Sequence, residues 1–87
     1  MTVYTSSATE QVASGRVIVG SIILVGGSAN SSIILKDSVG SSGDAIVELK
    51  ALANDSKVFT PLRAIEFTNG IYNTLSGTGA KVYIQVL

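Results

Sequence analysis

The chain has 87 residues with six basic and six acidic side chains, and it contains no His, Cys or Trp. This length allows one domain, and the composition excludes disulfides, Cys/His zinc sites and every catalytic arrangement built on Cys or His. The formal net charge of zero argues against nucleic-acid binding driven by phosphate neutralisation.

Composition also predicts the fold class. The sequence has ten Val, nine Ile and seven Thr, whose β-branched side chains fit a pleated sheet better than a helix. Twelve Ser, nine Gly and four Asn supply residues that favour turns. Charged residues make up only 14% of the chain, below the usual share of about 25%. The chain is therefore expected to be an all-β domain with little surface charge.

The first segment in chain order, residues 1–15, is small and polar and predicts an N-terminal arm or an edge segment. Val3 and Tyr4 within it can start a short strand. Residues 16–87 predict a single antiparallel β domain.

The longest strand candidate, residues 16–25, is apolar on both sides of the pleat. With strict alternation, one face carries Val17, Val19, Ile23 and Val25, and the other carries Ile18, Ile22 and Leu24. A half-solvated antiparallel strand alternates apolar with polar residues, so a strand apolar on both faces needs a second cover. We therefore predict that Ile18, Ile22 and Leu24 form an oligomer interface, although the two faces could exchange roles.

Six more strands are expected after this one, in residues 32–37, 45–51, 57–60, 62–67, 71–75 and 80–87. Pro61 ends a strand because proline has no N–H for the ladder. Asn69-Gly70 between two alternating runs predicts a hairpin. Together these segments predict a small antiparallel β-sandwich or barrel, jelly-roll-like, of about seven or eight short strands.

Few residues in this sequence suggest catalysis, metal binding or phosphate binding. The six carboxylates are isolated, and Asp44 and Asp55 lie in predicted turns where Asp bonds to its own backbone. Weak calcium binding by Asp37 and Asp44 is an alternative, although the EF-hand pattern is absent. Serine nucleophiles lack a His base, and the glycine-rich segments match neither a nucleophile elbow nor a phosphate loop. We expect no enzyme activity, no catalytic residues, no metal and no cofactor.

A binding function is the main alternative to a structural one. Such a module would bind a glycan or a host-surface ligand through loops 26–31, 38–44 and 68–70, and Tyr72 with Asn69 and Asn73 is the candidate cluster for a sugar. Lysines and arginines are scattered singly, so no nucleic-acid partner is expected.

The C-terminal half carries a pattern of turns and strands. Residues 67–83 contain an aromatic residue, then Asn69-Gly70-Ile71-Tyr72, a turn of small residues, and a final Val82-Tyr83 strand. Residues 29–37 add small residues, a strand and an Asp. This pattern resembles short all-β virion-associated proteins of tailed bacteriophages. The resemblance implies a small structural protein of a phage particle and carries no catalytic residues.

These observations predict a non-enzymatic structural or assembly module that forms a homo-oligomer and contacts other virion proteins. The most apolar run, residues 17–25, is too short to span a bilayer, and the N-terminus lacks the basic region of a signal peptide. No membrane partner is expected, and the expected location is the virion or the host cytoplasm.

Overall fold

The structure, a computed structural model, describes residues 2–87. This range forms nine strands and no helix: β1 (Thr2–Ser6), β2 (Glu10–Ser14), β3 (Val17–Val25), β4 (Ser31–Lys36), β5 (Ala45–Ala51), β6 (Ser56–Phe59), β7 (Ile65–Phe67), β8 (Gly70–Ser76) and β9 (Lys81–Val86). Accordingly, no helix in residues 2–87 is long and apolar enough to cross a membrane. The predicted all-β class is confirmed. The additional strand is β2, whose polar sequence gave no strand signal.

The strands form two antiparallel sheets in a sandwich-like arrangement. Sheet A has the order β1-β9-β3-β6, with β7 pairing the other half of β3, and sheet B has the order β2-β8-β4-β5. Among the described strands, β4 and β5 are the only consecutive pair that bond to each other. Most connections therefore carry the chain from one sheet to the other.

The turn at Asn69-Gly70 is one of these crossings, so the predicted hairpin is wrong. β7 pairs with β3 in sheet A, whereas β8 pairs with β2 and β4 in sheet B. Gly70 has φ +140°, and a Cβ there would lie 2.5 Å from the carbonyl oxygen of Ala13. The glycine therefore permits close approach of two strands of sheet B instead of a tight two-residue hairpin loop.

A β-bulge at Gly20 changes which residues of β3 face the core. Val19 pairs with Val86 of β9, and Ser21 pairs with the preceding Gln85, so Gly20 is an extra residue on β3. An extra residue reverses the alternation of side chains. Odd-numbered residues face inward before the bulge and even-numbered residues after it.

The core lies between the two sheets. Its fully buried side chains are mostly branched aliphatics with one aromatic: Val19, Ile22, Leu24, Ile33, Leu35, Phe67, Ile71, Val82 and Ile84. One polar side chain, that of Asn73, is also fully buried. It donates two hydrogen bonds, to Ser6 Oγ at 3.2 Å and to the Ala8 carbonyl at 3.3 Å, and so ties β8 to the corner where β1 turns into β2. β1 and β2 are both edge strands, one in each sheet.

Loops gather at the two ends of the sandwich. At one end, Ser28 N donates to the Thr78 carbonyl at 3.0 Å, and Asn54 N donates to the Gly27 carbonyl at 2.8 Å. The loop between β4 and β5 meets the crossing between β7 and β8 at the other end, where Asp37 accepts backbone hydrogen bonds. Loops 38–44 and 68–70 thus share one end, and loop 26–31 lies at the opposite end.

Candidate interaction surface

The outer face of sheet A carries several exposed apolar side chains. Register places Thr5, Tyr83, Ile23 and Val58 in one row across β1, β9, β3 and β6. The neighbouring rows contain further apolar side chains and, on one side, the hydrogen-bonded pair Ser21 and Gln85. We call the following set the apolar face: Val3, Ile18, Ile23, Val25, Val58, Tyr83 and Leu87.

Several members of the apolar face remain open to solvent. Val58 is 66% exposed, Val3 53%, and Ile23 and Val25 36% each. Ile18 and Tyr83 are half-buried by their neighbours. Contiguous exposed apolar surface is typical of an interaction site, whereas single exposed apolar side chains are not.

Charges lie only at the margins of this face. Lys81 pairs with Val25 at one end of β3. Glu66 pairs with Ile18 at the other end, and its carboxylate accepts an ion-paired hydrogen bond from Arg16 Nε. A partner that covers the centre of the face would therefore not need to desolvate an ionised side chain, which is the costly part of forming an interface.

The outer face of sheet B has a different character. Lys36 lies opposite Tyr72, and Glu48 and Lys50 point outward from β5. Lys50 Nζ lies 3.7 Å from Glu48 Oε1, and both side chains are largely exposed. This face is suited to solvent, so the two sides of the sandwich are not equivalent.

The predicted interface residues divide between the core and the apolar face. Ile22 and Leu24 are fully buried inside the chain and cannot reach a partner. Ile18 does lie on the apolar face. The core and interface assignments beyond the bulge are thus reversed relative to strict alternation, and Ile23 and Val25 are the outward residues. An isolated glycine within a strand is the sequence signal for such a bulge.

The predicted ligand cluster is not brought together. Asn69 lies in the crossing between β7 and β8, where its N–H donates to Asp37 Oδ1 at 2.7 Å. Tyr72 lies on the outer face of sheet B, opposite Gln11 and Lys36. Asn73 is fully buried on the inner face. Adjacent strand residues point to opposite sides, so Tyr72 and Asn73 cannot contact one ligand.

Asp37 has a structural task in this fold. Its two carboxylate oxygens accept hydrogen bonds from the backbone N–H groups of Asn69 at 2.7 Å and Thr68 at 3.0 Å. These bonds favour the ionised form and hold the pKa of Asp37 below its usual value. The carboxylate thereby fastens the β4–β5 loop to the crossing between the sheets.

A polar depression of about 350 Å³ lies beside Asp37 and also reaches Asp44. Residues 2–87 contain no group of three or more acidic side chains placed to hold a metal ion. The calcium alternative gains no support from this placement, since the Asp37 oxygens already face N–H donors.

A second depression, of about 340 Å³, lies where β5 ends near β6. Its lining includes Ala51, Leu52, Lys50 and Lys57. It brings together apolar surface and two ammonium groups, without a carboxylate in its lining.

Comparison of the chain with protein-family models, curated proteins and solved structures yields no match.

Proposed function

We propose that the protein is a non-enzymatic structural module that self-associates through the apolar face of sheet A. The observation that carries the proposal is the uncharged row across four strands, centred on Ile23 and Tyr83. A second copy is the simplest partner for such a face, because an isologous contact uses the same patch on both subunits.

The area of the apolar face indicates how strongly two copies should associate through it. Four strands about 4.8 Å apart and six or seven residues at about 3.3 Å each cover roughly 300–400 Å² in projection. A standard interface removes about 800 Å² of accessible surface from each partner. The contact is therefore small, and we expect association that depends on protein concentration and gains strength where many copies are held together.

Two valines of similar exposure provide the test. Val58, on the apolar face, is 66% exposed, and Val39, in the loop between β4 and β5, is 70% exposed. Val58→Lys should weaken association and shift sedimentation velocity profiles toward a smaller oligomer, whereas Val39→Lys should leave them unchanged. A wild-type chain that stays at 8.9 kDa up to about 1 mM would overturn the proposal. Equal effects of the two substitutions would also count against this face.

The setting that we propose for the module is the particle of a tailed phage. This part of the proposal is supported by the resemblance of residues 29–37 and 67–83 to virion-associated proteins. Peptide mass spectrometry of purified particles from the phage that encodes the chain tests it. Detection in stoichiometric amount would support a structural role beside other virion proteins, and absence from particles would refute it.

A further inference from the structure

The edges of the two sheets offer a second kind of contact. Sheet A ends at β1 and at β6 with β7, and sheet B ends at β2 and β5. An edge strand exposes unpaired backbone groups that can pair with another strand. Among these edge strands β5 is the longest, with seven residues, compared with five each in β1 and β2 and four in β6.

The register of β5 with its neighbour is regular along most of its length. β2 carries a register shift between Gln11 and Ala13, and Pro61 follows soon after β6 ends. The register of β5 with β4 is regular from Val47 to Ala51, and its irregularity is confined to the end near Ala45. Bulges and proline are common protections of sheet edges. The edge strand β1 is regular as well, but it is shorter than β5 and carries no charged side chain.

The side chains of β5 are self-complementary about Leu49. In an antiparallel pair of two β5 strands centred on Leu49, each Glu48 lies opposite Lys50 of the second copy. Both side chains are exposed and share the outer face of sheet B, with 51% and 77% of their side-chain surface accessible. Opposite charges directly across an antiparallel pair are stabilising, and the two-fold symmetry forms the pair twice.

The inner side of the same pair is compatible as well. Val47 and Ala51 are buried by the chain itself, while Leu49 between them is only half-buried. A second copy would place its own Leu49 opposite this side chain and complete its burial. Both faces of the strand thus favour the same register.

We propose that β5 pairs with β5 of a second copy in antiparallel register about Leu49, joining two copies of sheet B into one eight-stranded sheet. The inference rests on the proposed self-association and deepens it. The apolar face and the β5 edge are separate surfaces, and a subunit that uses two different two-fold contacts forms assemblies larger than a dimer. Such an assembly suits a module that is repeated in a particle.

Charge exchange on β5 tests the register. Glu48→Lys gives two lysine–lysine contacts across the pair, and Lys50→Glu gives two glutamate–glutamate contacts. Each variant alone should associate about tenfold more weakly than its background. An equimolar mixture of the two variants should recover association, because every contact in the mixed pair joins opposite charges.

Association is measured by sedimentation velocity with all variants in a Val58→Lys background. The background substitution weakens association through the apolar face, so that the β5 contact can be measured separately. Matched controls are Asp44→Lys and Arg63→Glu, which change the net charge equally at exposed loop positions and should leave the association of that background unchanged. The proposed register is supported if the two variants associate weakly when separate and regain association when mixed, while the control substitutions have no effect. If Val58→Lys is monomeric at concentrations at which wild type associates, the β5 contact is refuted and association through the apolar face is still supported. Wild type that is itself monomeric removes both proposals, and a mixture no stronger than its separate components refutes the register.

Discussion

The bulge at Gly20 makes a sharp prediction about two neighbouring isoleucines. Ile22 is fully buried and Ile23 is 36% exposed, although the residues are chemically identical and adjacent. Replacing Ile22 with Ala removes three buried carbon groups, worth about 2.4 kcal/mol at about 0.8 each. The cavity that remains raises the expected cost to about 3–4 kcal/mol. Ile23→Ala loses contact on one side only and leaves no closed cavity, so we expect about 1–1.5 kcal/mol.

The expected difference of about 1.5–3 kcal/mol is a substantial fraction of the total stability of a domain of this size, which is about 4–13 kcal/mol. Urea denaturation followed by circular dichroism gives the free energies, at a protein concentration low enough to keep the chain monomeric. Because about 1 kcal/mol shifts the melting temperature by roughly 4–8 °C, thermal melts should separate the two variants by roughly 6–24 °C.

The parity of the costly positions provides the control. Before the bulge, Val19→Ala should cost more than Ile18→Ala, and after it Ile22→Ala should cost more than Ile23→Ala. The costly position therefore changes from odd to even numbering. The role of the bulge would be refuted if Ile22→Ala and Ile23→Ala lowered the free energy of unfolding equally. It would also be refuted if the larger losses fell at odd-numbered positions along the whole strand.

Three further predictions concern single contacts. Gly27→Ala sets a Cβ against the Thr78 carbonyl oxygen and should cost about 2–3 kcal/mol in urea denaturation, whereas Gly40→Ala, in open space, should change stability by less than about 1 kcal/mol; similar costs would show that the close approach is not rigid. Asp37→Asn should be less stable than wild type at neutral pH, and the difference should vanish on acidification. The pKa of Asp37 is lowered by folding, so its contribution is complete above the ordinary value of 3.8 and is lost as pH falls through the folded value. Thermal melts from neutral pH to about pH 2.5 check this, and a difference independent of pH would contradict it. Asn73→Asp puts a carboxylate at a fully buried position and removes both donated hydrogen bonds, so a loss of more than about 3 kcal/mol is expected in the same denaturation assay; a variant as stable as wild type would mean that the amide is not needed there.

Much of the local structure follows from residue types. β-Branched content predicts strands, and the predicted segments 32–37, 45–51 and 80–87 differ from β4, β5 and β9 by one residue or less at each end. The low share of charged residues likewise favours a surface on which another protein can pack. These properties are local, since they depend on how each side chain fits a pleated backbone.

The pairing of strands was decided by tertiary structure. Asn69-Gly70 predicts a hairpin from local turn chemistry, yet the flanking strands enter different sheets, and Asp37 from a distant loop holds the crossing. The apolar alternation of β3 predicts two equivalent faces, and the extra residue Gly20 determines which of its isoleucines is buried. A sequence read by itself shows which residues favour strands, but a side chain acquires its inner or outer place only when a neighbouring strand sets the register.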